Sequence, residues 1–187
     1  GKPQSSLIEE NSIYRPVAVA VDEYGRMFVV SSTTFEGIIV MGDGGEFYGY
    51  IGAQKATLSP WQAFWRNLGK DDEETVVSTE YNNITIDEDN FLYVTTSSID
   101  EDTQQNAITG KSKDGSYAPV KKLNVSGTDI MRRNGFYPPS GEVKVSPSQT
   151  STIKGASTII DAAVGPEGTW SIIDEKRSKV FTYDENG

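Results

Sequence analysis

At 187 residues the chain is long enough for one sizeable domain, which should bury roughly 70% of the surface its unfolded form exposes. It contains neither cysteine nor histidine, which excludes zinc fingers, Cys- or His-based nucleophiles, thiol redox centres and haem ligation by either residue. Seventeen basic against 27 acidic side chains give a formal net charge of −10, a field that repels phosphate backbones and anionic lipid heads and so argues against nucleic-acid and membrane-surface partners.

The opening residues Gly1 to Ser6 are polar and form no signal-peptide core, so an exported chain would already have shed its targeting segment. No run approaches the roughly 20 apolar residues of a membrane span. From Val17 the apolar period is two, which is the strand signal. Val17, Val19 and Val21 alternate with alanines, the chain turns at Asp22 to Gly25, and Arg26 to Val30 returns. A turn from Thr33 to Gly37 leads to Ile38 to Met41, and Gly42 to Gly45 leads to a fourth strand from Glu46 to Gly52. Four short strands joined by Gly- and Asp-rich turns predict an antiparallel meander.

A helix is predicted next, with Ser59 as N-cap, Pro60 at the first helical position and Gly69 past the end. Trp61, Phe64, Trp65 and Leu68 share one of its faces and are expected to pack against the body of the protein rather than to form a ligand platform. The strand pattern then returns. Ile84 to Val94 lies over Val19 to Val29 without a gap, its turn being Asp87-Glu88-Asp89-Asn90. An insertion rich in Ser, Gly, Pro and Asn runs from about Ile99 to Lys154 and contains a third strand from Val120 to Val125. The last copy is Ala162 to Ile172, continuing through Lys179 to Tyr183. A meander repeated along one chain predicts an all-β fold of the β-propeller type. The steps from Asp22 to Asp87 to Gly165 exceed the roughly 40–50 residues of a bare blade, as the two insertions require.

Tyr14-Arg15-Pro16-Val17 through Asp22, Gly25 and Phe28-Val29 resembles the NHL repeat. The two-tryptophan helix, Glu80 to Ile84, Pro119 to Gly127 and Asp174 to Asp184 resemble a group of NHL-type propellers found as surface lipoproteins of Gram-positive gut bacteria, a group without an assigned activity. The resemblance implies an extracellular, cell-surface location and half of a six-bladed ring. On this reading blade 1 is 14–53, a helical insertion is 54–78, blade 2 with its long loop is 79–146, and blade 3, lacking its last strand, is 155–187. Either two copies complete a ring as a homodimer, or the chain is part of a longer propeller. The segment Ser6 to Glu10 is a candidate to add a strand beside Lys179 to Tyr183.

Aligning the repeats puts Ala18, Asn83 and Asp161 at one position, with Arg15, Glu80 and Thr158 three residues earlier and Val19, Ile84 and Ala162 on the opposite face. The first set is expected to point into a central channel, which makes Arg15, Glu80, Asn83 and Asp161 the candidate ligand-binding residues. Propeller hydrolases that this fold resembles, such as gluconolactonases, hold a divalent ion in the channel. By that resemblance Glu80, Asn83 and Asp161 could offer oxygens to calcium. The competing reading, which is preferred, is a hydrated channel lining with no cofactor. The acidic turns Asp87-Glu88-Asp89 and Asp100-Glu101-Asp102 lack the glycine and terminal glutamate of an EF-hand loop and read as solvated turns. Lys121-Lys122 and Met131-Arg132-Arg133 read as surface, and Gly42 to Gly45 opens no helix that could cradle phosphate. With catalytic residue types scarce, the expected function is a non-enzymatic binding module for a protein, small-molecule or carbohydrate ligand. The alternative is a metal-dependent, lactonase-like hydrolase.

Overall fold

The structure, a computed structural model, describes Pro3 and residues 13–34, 37–52, 81–96, 119–132 and 157–187. The predicted helix, Glu80, the Ser6 to Glu10 segment and most of the second insertion lie outside these residues. The described chain is all-β, as the period-two pattern demands. Strands β1 (Pro16–Val21), β2 (Met27–Ser31), β3 (Ile38–Met41) and β4 (Phe47–Ile51) form an antiparallel sheet in chain order. A second sheet contains β5 (Tyr81–Ile86), β6 (Leu92–Thr96) and β7 (Val120–Leu123), and a third contains β8 (Ile159–Val164), β9 (Trp170–Asp174) and β10 (Lys179–Tyr183).

One turn design recurs between these strands. In the first, Asp22 N–H donates to Arg26 O and Gly25 N–H donates back to Asp22 O. Asp87 with Phe91 and Asn90 repeats it, as does Asn124 with Thr128 and Gly127. The fourth residue must turn left-handed, at φ 79° for Gly25 and 63° for Asn90, a region that glycine and asparagine tolerate best. The leading Asp or Asn then caps the loop, Asp22 Oδ1 accepting from the N–H groups of Tyr24 and Arg26 at 3.0 and 2.8 Å. Asp87 Oδ1 does the same for Asp89 and Phe91, so that carboxylate is a turn cap, and with its side chain only 16% exposed it is not the solvated group the sequence suggested. The Asn124 turn also stops β7 at Leu123, two residues short of the predicted Val125. Beyond it one bridge, Leu123 to Asp129, continues the sheet.

Every first strand carries a bulge at the same place, between Pro16 and Ala18, Tyr81 and Asn83, and Ile159 and Asp161. The aligned residues Ala18, Asn83 and Asp161 are therefore structurally equivalent, each immediately past the bulge. Arg15 and Thr158 correspond too, their carbonyls accepting from Ser32 and Glu175 N–H. The core consists of seams between sheets. Ala20, Phe28, Val30, Ile38 and Val40 of the first sheet pack on Ile84, Leu92, Val94 and Leu123 of the second. Tyr93 and Val120 of the second pack on Ile159, Ala162, Trp170 and Ile172 of the third. Burial of such side chains at roughly 1.5–3 kcal/mol each dominates the stability of the stack.

Two phenols, one buried and one half-buried, tie the seams to pH. Tyr81 donates its hydroxyl to Gly52 O at 2.7 Å across the first seam. Burial, with the Asp129 charge adding to it, raises its ionisation far above the ordinary value. Tyr183 stacks on Trp170 at 4.4 Å, and burial pushes it up to about 12 from 10.0. Both folded values lie above the unfolded one, so the unfolded chain ionises first. Stability should be fully present below pH 10.0 and lost as pH climbs through the folded values. Melting temperatures taken across that window should fall, and the double variant Tyr81→Phe/Tyr183→Phe should flatten the fall. An unchanged slope in the variant would place the alkaline sensitivity elsewhere.

Candidate functional site

The residues singled out by the alignment separate into a pair, an exposed cation and one outside the described residues. Asn83 Nδ2 donates to Asp161 Oδ1 at 2.8 Å and to Ile160 O at 3.3 Å, bringing together two residues from different sheets. Asn83 Oδ1 accepts from Ile84 N–H, and Asp161 Oδ1 also accepts from Ala162 N–H, each at 2.8 Å. The neighbouring Asn82, the extra residue of the bulge, donates to Ile159 O at 2.7 Å and accepts from Thr95 Oγ1. Asn82 and Asn83 together pin the start of β5 to the start of β8. Arg15 is exposed, and among the described residues its bonds are through the backbone, its N–H donating to Ser31 Oγ at 3.3 Å. Ala18 packs against the first seam.

A second constellation lies along the seam between the second and third sheets, toward the end carrying the Asp87 turn. Tyr93, Lys122, Ile130, Met131, Arg132, Trp170 and Glu185 are among the residues enclosing a cleft of about 360 Å³. The equivalent place in the first seam, where Arg26, Phe28, Val40, Ile51 and Leu92 meet, encloses about 50 Å³. The repeat explains the difference. Gly42 and Asn124 open matching turns, so Lys122 stands where the first sheet has the buried Val40. A long cation replaces a compact apolar residue at an inward position.

Lys122 is thus no free surface residue, contrary to the reading of the Lys121-Lys122 pair. Its side chain is 22% exposed and its Nζ lies 3.0 Å from Asp87 Oδ2. The ammonium sits 4.6 Å from the Phe91 ring centroid and 5.1 Å from that of Tyr93, within the range of cation–π attraction. Burial works against the charge, but hydrogen bonding to Tyr93 and the Asp87 carboxylate outweighs it, and the ionisation of Lys122 moves upward. Arg132 remains exposed, as expected, and donates to Asn186 Oδ1 at 3.2 Å, joining the rim of the second sheet to the last turn of the third. The cleft therefore combines a held cation, a rim cation and carboxylate, and an apolar floor. The signal for it was present in the sequence: a lysine two residues before a turn-opening Asn, where the first repeat has valine.

No protein-family model matches the sequence and no curated protein matches it. Among solved structures the chain is similar to virginiamycin B lyase from Staphylococcus aureus, at 10% sequence identity and a TM-score of 0.42 over 91% of this chain and 41% of that one. The chain thus spans less than half the length of that protein, and a likeness of this size assigns neither a family nor an activity.

Proposed function

We propose that the three sheets are consecutive blades of an NHL-type propeller and that the chain is a non-enzymatic extracellular binding module whose ligand seats in the Lys122 cleft. The blade reading draws support from the repeated meander, the repeated bulge and the repeated seam. One observation carries the binding role: the same repeat position is closed by Val40 in one seam and opened around Lys122 in the next. Small polar ligands suit a pocket with an apolar floor and a few convergent charged groups. The lactonase-like alternative relies on Glu80, which lies outside the described residues, and on Asn83 and Asp161 as oxygen ligands. Asn83 turns its amide donor, not its oxygen, toward Asp161, an arrangement suited to pinning a seam.

Thermal unfolding in the presence of mono- and disaccharides and small carboxylates tests the reading. A ligand bound to the folded chain raises the melting temperature with its concentration. The shift should vanish in Lys122→Val, which restores the residue of the first seam. Equal shifts in both proteins, or none across the panel, would sink the proposal. A calcium-induced shift abolished by Asp161→Asn would favour the hydrolase instead.

A further inference from the structure

The repeat that opens the cleft at Lys122 also sets its facing wall. Gly42, Asn124 and Asp184 open matching turns, each carbonyl accepting from the N–H three residues on, so Asp43, Val125 and Glu185 share one repeat position. Val40 and Val125 line the small cavity of the first seam, where Lys122 and Glu185 line the cleft of the second. Two apolar residues on facing walls are thus exchanged for two opposite charges, Lys122 on the second sheet and Glu185 in the turn after β10 of the third. They do not neutralise each other. Among the described residues the ion pair of Lys122 is with Asp87, and Glu185 makes none. Glu185 is instead seated against the β8–β9 turn, its Cβ 3.0 Å from where a methyl on Gly168 would lie. Arg132 adds a second cation on the wall of the second sheet and is tied at the rim to Asn186.

Asp87 and Tyr93 take two of the three ammonium N–H groups of Lys122 among the described residues, which leaves one for a carboxylate in the cleft. An anion entering here would meet Glu185 and the field of a chain of net charge −10, and a cation would meet Lys122 and Arg132. A zwitterion matches both walls and brings no net charge through that field. A cleft of about 360 Å³ lies near the lower end of the roughly 300–1,000 Å³ of ligand pockets, which suits a small molecule rather than a polymer. On the reading of this cleft as the binding site, we propose that its ligand is a free α-amino acid with an apolar side chain. The carboxylate meets Lys122 and Arg132, the ammonium meets Glu185, and the side chain lies over Phe91 and Met131.

Calorimetric titration of the chain with L-leucine, L-methionine and L-phenylalanine should show binding of at least one of them. Its N-acetyl derivative lacks the ammonium and its amide lacks the carboxylate. Each should bind roughly 10- to 100-fold more weakly, the usual worth of one hydrogen bond to a charged group. Glu185→Gln should erase the preference over the N-acetyl compound. Lys122→Val should remove binding, with Lys122→Met in its place if circular dichroism shows that valine perturbs the fold. An N-acetyl compound bound as tightly as its parent would overturn the zwitterion and leave the cleft standing as a binding site. A saccharide bound through Lys122 where no amino acid binds would do the same. Absence of Lys122-dependent binding by every one of these compounds would overturn both.

Discussion

Replacing Asp174 with alanine should lower the free energy of unfolding by about 3–5 kcal/mol, the usual cost of leaving one half of a buried ion pair alone. Asp174 is 0% and Arg177 3% exposed. Arg177 Nη1 donates to Asp174 Oδ2 at 2.9 Å and to Ser157 Oγ at 3.0 Å. Asp174 Oδ1 accepts from the backbone N–H groups of Thr158 and Arg177 at 3.2 and 3.3 Å. This carboxylate thus holds the approach to β8 and the β9–β10 turn together. In the first sheet the same position is Ser31, whose Oγ accepts from Arg15 N–H in the same way and has Thr33 Oγ1 beside it in place of an arginine among the described residues. The sheet can therefore be built without an ion pair. Asp174→Ser/Arg177→Thr should recover a substantial part of the loss, because no charge is then stranded. Urea unfolding of the single and double variants checks this. A double variant no better than Asp174→Ala would mean that the pair itself, not the stranded charge, supplies the stability.

Gly127→Ala should cost roughly 2–5 kcal/mol, from left-handed backbone strain and overpacking together. Gly127 has φ 76°. A methyl group on it would lie 2.2 Å from Gly52 N and 3.0 Å from Gly52 Cα. The turn after β7 is pressed against the backbone that leaves β4, and Tyr81 clamps that same glycine through its carbonyl. Gly45 is the control. It occupies the equivalent turn position at φ 89°, but the methyl that alanine would add there meets nothing within 4 Å, so Gly45→Ala should cost only about 1–2 kcal/mol. Equal losses in urea midpoints for the two variants would show that the close approach of the turn contributes nothing.

Much of the architecture was legible because strand pattern and turn chemistry are local. Val17 to Val21 announces itself by alternation, and Ile38 to Met41 and Lys179 to Tyr183 as short strand-forming runs between turn residues. Aligning Asp22 with Asp87 and Gly165 was enough to place Ala18, Asn83 and Asp161 in register. What stayed hidden depends on partners distant in sequence. The Asn83–Asp161 contact joins residues whose facing cannot be read from either strand alone. Asp174 and Arg177 look like one more charged turn until Ser157 and Thr158 enclose them. Lys122 looked solvated because neighbouring lysines in an acidic chain usually are. Only its repeat-equivalence with Val40, combined with the turn at Asn124, sends it inward.

The seams described above have a consequence for cooperativity. Packing runs from each sheet to the next, so the stack behaves as a row of units coupled through nearest neighbours. Among the described residues the middle unit is the one that packs on a neighbouring sheet through both faces: Leu92, Tyr93, Val94, Thr95 and Thr96 of β6 are all buried, while the edge strands β1 and β10 show most of their length to solvent. Opening an outer unit sacrifices one interface, whereas opening the middle one sacrifices two. The backbone of β6 is therefore released only by global unfolding, and the outer strands fray at a fraction of that free energy.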